Sequence, residues 1–139
     1  MENNNLIDMM NVALGLELRA INMYAHYSSY VTGIHRLHLS QHFKDEVTES
    51  LTHAETIRSA IVKMGGQAVT ERDNTPILHT TSYPEMLQES LNTEVVASET
   101  YGELLEIVEE MGDRELYDSI EAIYLTELRS VEEVRLLME

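Results

Sequence analysis

Glu17, His53, Glu94 and Glu127 are the residues of this chain best placed to do chemistry, because each interrupts a run of apolar residues at helical spacing. At about 100° of rotation per residue, Leu6, Met10, Ala13, Ile21, Tyr24 and Val31 fall within about 40° of Glu17. Leu87, Tyr101, Leu105 and Val108 share the face of Glu94, and Leu116, Ile120, Ile123, Val131 and Val134 share that of Glu127. His53 borders the stripe formed by Ile57, Ala60 and Met64. A buried carboxylate without a partner costs several kcal/mol, and three at matched depth repel one another. No Lys or Arg occupies these stripes. A bound cation is the simplest compensation, and carboxylates with one imidazole suit iron, manganese or zinc. Taken singly, each glutamate also reads as a protonated or hydrogen-bonded structural group.

The elements that must position these residues are four long helices. The apolar periodicity predicts helices over about 5–31, 35–64, 82–111 and 113–138. Gly65-Gly66 and Gly112 supply glycine stops. Ser82, Pro84 and Glu85 read as a capping box with proline in the first turn, and Asp113 reads as the cap of the last helix. The first and third connections are short, so each joins antiparallel neighbours. Residues 67–81 have no helical period. Such a stretch can span roughly 45–50 Å, enough to run the length of a 28-residue helix of about 42 Å. The expected fold class is all-α: a four-helix bundle of two antiparallel hairpins joined by a long crossover, with residues 1–139 as one domain.

Composition narrows the function. The 139 residues carry 43% hydrophobic side chains and only two prolines and six glycines, which suits long helices. A formal net charge of −16 argues against nucleic acid and against an anionic membrane surface as partners. The same charge fits a protein that handles cations, or simply one that stays soluble. The chain has no cysteine, so thiolate metal sites, iron–sulfur clusters and disulfides are excluded. The N-terminus lacks a basic region followed by an apolar run, and no stretch reaches the roughly 20 apolar residues of a membrane span. The expected location is the cytoplasm.

These features resemble the bacterioferritin branch of the ferritin-like family over nearly the whole chain. GLELRAINMYAHY at 15–27 is similar to the family's first helix, with Glu17 at the terminal iron ligand. His53-Ala54-Glu55, followed by Met64-Gly65-Gly66, resembles the second helix; Leu91-Asn92-Thr93-Glu94 places Glu94 at the third-helix ligand, and Glu127 matches the bridging glutamate of the fourth. Two departures stand out. The family pattern has Glu-x-x-His on two helices; this chain has Ser50-x-x-His53 and Glu127-x-x-Ser130. Four of six ligands remain. The resemblance therefore implies one competent metal position, from Glu17, His53 and Glu127, and a weak or empty second one at Glu94. It implies iron storage or oxidation as the function, with iron as cofactor and zinc or manganese as substitutes. The alternative is a bundle that has lost catalysis and serves as a structural or binding partner.

Further expectations follow from the resemblance. Leu51 stands where the family's haem-ligating methionine would be, so no haem is expected. The family's short fifth helix has no counterpart before Glu139, which leaves the size of a homo-oligomer open, from a dimer upward. Tyr24 matches a tyrosine near the family's di-iron site, as a redox partner, a ligand-orienting group or a plain core tyrosine. On the second helix, His35, His38, His42, Glu46, Glu49 and His53 form one polar line, read either as an iron entry and nucleation face or as a solvated face or subunit contact. Glu49, one turn before His53, is expected to face solvent or a cavity unless the helix shifts to bring it in as a ligand.

Overall fold

A computed structural model describes residues 2–139. Four helices account for most of them: α1 (Glu2–Tyr30), α2 (Arg36–Lys63), α3 (Tyr83–Met111) and α4 (Arg114–Met138). Among the described residues there is no strand. α1 pairs with α2 and α3 with α4 as antiparallel hairpins. The hairpins meet through α1 against α3 and α2 against α4.

Local chemistry sets the ends. Gly65 and Gly112 adopt φ of 79° and 75°, a left-handed conformation that lets the chain leave α2 and α3 sharply. Asp113 Oδ1 accepts from the Leu116 amide at 3.1 Å, as expected of a capping aspartate. The capping box expected at Ser82 does not form. Glu85 is instead taken by the Thr80 hydroxyl at 2.6 Å, and that hydroxyl also accepts from the Ser82 amide at 3.0 Å. Ser82 remains the N-cap residue but caps with no side-chain bond, and the buried Thr80 hydroxyl links the Ser82 amide to Glu85 instead.

The crossover climbs the flank of α1 and is tied to it rung by rung. The Asn11 amide donates to Gln67 O and its carbonyl accepts from the Val69 amide, both at 2.9 Å. The Asp73 amide donates to Gly15 O at 2.9 Å. Arg19, buried despite its charge, donates to Thr75 O at 3.0 Å and Pro76 O at 2.9 Å. Tyr27 Oη donates to Leu78 O at 2.8 Å, and Thr32 Oγ1 to Thr81 O at 3.0 Å. The strap returns the chain to the end where α1 finished, so α3 starts there and runs antiparallel to α1.

The apolar core is in two pieces. One packs Leu6, Met10, Leu14, Ile57, Ile61, Leu104, Val108 and Ile120. The other packs Met23, Tyr24, Tyr27, Phe43, Met86 and Leu87. Between them lies a polar layer.

Candidate metal centre

That layer contains all four residues singled out by their spacing. Glu17, His53, Glu94 and Glu127 are each less than 8% exposed. Antiparallel packing of α2 on α4 sets His53 against Glu127, with Nδ1 to Oε1 at 3.1 Å. The same nitrogen lies 3.4 Å from Glu17 Oε2. One donor atom from each of Glu17, His53 and Glu127 falls within 4.8 Å of the others, the one group of three potential ligands this close among the described residues. Glu94 sits outside that trio, capped by a phenol.

Two tyrosines hold the carboxylates in place. Tyr101 Oη donates to Glu17 Oε2 at 2.6 Å, and Tyr24 Oη donates to Glu94 Oε1 at 2.6 Å with Ser90 Oγ at 2.8 Å. Burial raises both phenols well above their ordinary range, and the neighbouring carboxylates raise them further, so both act as donors. The family resemblance marks Tyr24 as a candidate, whereas spacing shows Tyr101 only as a neighbour on the face of Glu94. The signal for it was present, since Tyr101 is seven residues after Glu94 on the same helical face.

Ser50 and Ser130 are buried at the layer, and neither supplies a carboxylate or imidazole. A cavity of about 10 Å³, room for about one water, opens between Glu17, Ser50, Glu94 and Glu127. Glu49, expected to face solvent or a cavity, lies between the two extremes. It is half-buried and its Oε1 accepts from Ser130 Oγ at 3.3 Å, with α2 unbroken. No helix shift is needed, because the small serine leaves the space open. Glu46, one turn earlier, is half-buried too. The rest of the polar line does not converge. His35 is exposed and meets the Tyr83 ring edge-on with centroids 5.0 Å apart, His38 is exposed, and half-buried His42 leaves Nε2 without a partner.

The electrostatics of the layer are unbalanced. Burial pushes Glu94 well above the usual carboxylate range, and Glu127 beside it adds to that. Burial likewise raises Glu127, with Glu17, Glu49 and Glu46 contributing. Glu46 is pushed up to about 8 by burial, Glu94 and Glu49. Burial lowers His53, but the hydrogen bond and charge of Glu17, then Glu49 and Glu94, outweigh it and leave the imidazole raised. Arg19, the cation nearest in sequence to Glu17, is turned away to the crossover carbonyls. Glu127 Oε2 is buried without a hydrogen-bond partner. An unpaired oxygen inside a cluster of carboxyl groups is what a metal-ligand set shows without its ion, so the residues fit a divalent cation.

Known proteins share the sequence pattern and the fold of this chain. A bacterioferritin of Desulfovibrio desulfuricans is 23% identical over 108 residues, which are 78% of this chain and 60% of that protein, so the chain spans well under its full length. A ferritin-like, diiron-carboxylate protein of Bacillus anthracis superposes with a TM-score of 0.95 at 26% identity, covering 100% of this chain and 99% of that one. The dodecameric thioferritin of Bacteroides fragilis superposes at 0.86 with 21% identity, over 96% of this chain and 83% of that one. The ferritin-like domain profile matches residues 7–139. On that match, the chain belongs to the ferritin-like family.

Proposed function

We propose that this protein handles iron, holding one metal ion on Glu17, His53 and Glu127 with Glu94 alongside. The observation that carries this reading is the buried trio of donors within 4.8 Å, with Glu127 Oε2 unpartnered among them. A bound iron ion would supply redox chemistry toward oxygen; zinc or manganese would occupy the same donors without it, or with less of it. The chain's own contribution is positional. Tyr101 fixes Glu17 and Tyr24 fixes Glu94, so Tyr24 is a positioning residue first and a redox partner only if iron is oxidised beside it.

A homo-oligomer, a cytoplasmic location and the absence of haem belong to the same proposal. Leu51 is 53% exposed on α2 and offers no axial ligand. The Bacteroides fragilis relative is a dodecamer, which makes a shell a reasonable assembly for this chain. Ser50 and Ser130 favour a second reading beside the first: a bundle that binds metal but oxidises ferrous iron slowly or not at all.

The test is retention of metal. Protein equilibrated with ferrous salt, desalted and analysed by elemental mass spectrometry should keep about one ion per chain. Glu17→Gln and His53→Ala should each lose it while remaining helical. Wild-type protein that retains neither iron nor zinc sinks the proposal. Oxygen consumption in the same samples separates the oxidising from the non-oxidising reading.

A further inference from the structure

We propose that His26 and His79 form a two-imidazole clip for a divalent transition-metal ion, Cu²⁺ best of all, on the side of α1 where the crossover passes. The site stands apart from the polar layer and does not depend on metal being bound there.

Helix geometry separates the two places. His26 follows Glu17 by nine residues, about 13.5 Å along α1 and about 180° round it. Glu17 is buried in the polar layer, whereas His26 is half-buried and meets the crossover. His79, near the end of that strap, is exposed and reaches back to it. His26 Nε2 and His79 Nδ1 lie 2.9 Å apart in a shared hydrogen bond. One nitrogen of such a pair donates and the other accepts, so at least one ring is neutral and holds a lone pair at the point of contact. An ion can reach both rings from solvent.

The spacing of the nitrogens selects the metal. Ligand nitrogens at about 2.0–2.1 Å from an ion sit about 2.8–3.0 Å apart at adjacent corners of a square, but about 3.3–3.4 Å apart on a tetrahedron. The pair matches the square, the arrangement that Cu²⁺ and Ni²⁺ prefer. Turning each ring by about 45° aims both lone pairs at one ion, with water at the remaining corners. The parts that hold the rings are already in place. Tyr30 packs on both, with its centroid 4.4 Å from that of His26 and, edge-on, 4.8 Å from that of His79. On either side of His79 the crossover is pinned to α1: Tyr27 Oη donates to Leu78 O at 2.8 Å, and Thr32 Oγ1 to Thr81 O at 3.0 Å. The backbone that carries His79 is thus fixed before an ion arrives, which lowers the ordering cost of binding. Neither histidine pairs with a carboxylate among the described residues, so no ion pair has to break. The net charge of −16 draws cations to the surface.

Titration of the chelator-treated full-length protein with Cu²⁺, read by electron paramagnetic resonance with spin-echo detection of imidazole nitrogen, tests this. Wild type should bind a copper ion that carries two imidazole nitrogens, a number the polar layer with its single His53 does not supply. His26→Gln and His79→Gln should each abolish that signal and weaken the site at least about tenfold, because one ligand is left where two had chelated. His53→Ala, which strips the imidazole from the polar layer, should leave the signal unchanged. Copper should also slow hydrogen exchange at residues 77–81 by tying the crossover to α1. Wild type without a two-nitrogen copper signal overturns the inference and leaves the polar-layer reading untouched; the pair then only fastens the crossover. A two-nitrogen signal that survives His26→Gln or His79→Gln also overturns it, and so does one that is lost in His53→Ala. Unchanged helical circular dichroism in each variant keeps loss of binding separate from loss of fold.

Discussion

Removing metal should make the bundle lose stability as pH rises from 6 to 7.5, and restoring metal should reverse that trend. The sign comes from the direction of the shifts. Glu46, Glu49, Glu94 and Glu127 are all raised in the folded state. Unfolded glutamate titrates near 4.3, roughly, so across this window the folded chain binds protons that the unfolded chain has lost. Stability therefore falls with pH, at about 1.4 kcal/mol per pH unit for each such proton. His53, also raised, adds the same sign above roughly pH 6.5, the unperturbed histidine value. His42 is lowered by burial and opposes it, but only below that same value of roughly 6.5.

Glu46, with its pKa pushed to about 8, keeps most of its proton throughout the window. Over 1.5 pH units that one group accounts for about 2 kcal/mol. Unfolding entropy of about 2.1 cal/mol/K per residue makes 1 kcal/mol worth about 3.4 °C in a chain this long. The Tm of chelator-treated protein, followed by circular dichroism at 222 nm, should thus fall by about 7 °C from this group, and further from Glu94 and Glu127. Half of that is the least the reasoning accepts. Metal must displace these protons, so its stabilisation grows with pH. At a hundred times its Kd it should restore about 2.7 kcal/mol, or about 9 °C, at pH 7.5. Glu46→Gln should flatten the metal-free slope by about one proton. A Tm that is flat or rises from pH 6 to 7.5 without metal refutes the account of the polar layer.

Three other outcomes test separate parts of the structure. Arg19→Ala strands the Thr75 and Pro76 carbonyls and should cost about 2–4 kcal/mol, with faster hydrogen exchange and proteolysis confined to residues 72–79. Asp113→Ala removes one cap bond and should lower Tm by only about 3 °C, or about 1 kcal/mol; a loss as large as that of Arg19→Ala contradicts the ranking. Ser50→Glu with Ser130→His should raise aerobic ferrous oxidation at least tenfold over wild type, while overfilling a cavity of about 10 Å³ costs about 1–3 kcal/mol of metal-free stability. Equal oxidation rates in wild type and the double variant would mean that the two serines are not what limits the chemistry.

Most of the layout was legible because helices translate spacing into direction. Glu17, Glu94 and Glu127 each share a face with apolar neighbours, and one rotation rule places all three inside. The crossover was legible from length alone. What spacing could not show was pairing across helices. That Tyr101 serves Glu17 while Tyr24 serves Glu94 depends on the register of α1 against α3, which no single helix encodes. Arg19 was missed for the same reason: its partners are backbone carbonyls of the crossover, and a carbonyl leaves no mark in a sequence. The bond from Thr80 to Glu85, which replaces the capping box expected at Ser82, was not legible because it comes from a coil residue upstream of the helix. The bond from Ser130 to Glu49 was not legible either, because it joins two helices.

The polar layer also explains why the core is split. Four long helices could have buried a continuous apolar seam, and replacing buried ionic groups with well-packed apolar ones is often neutral or stabilising. This chain instead places three buried carboxyl groups and an imidazole between two apolar clusters, with no buried guanidinium or ammonium directed at them among the described residues. The energetic cost falls on the metal-free protein, where protons must stand in for cations. Under the proposed function a bound metal would remove that cost, and the same residues would link stability to metal occupancy. A layer built only for stability would neutralise itself from within. This one leaves Glu127 Oε2 unpartnered at its centre, the feature on which the proposed metal binding rests.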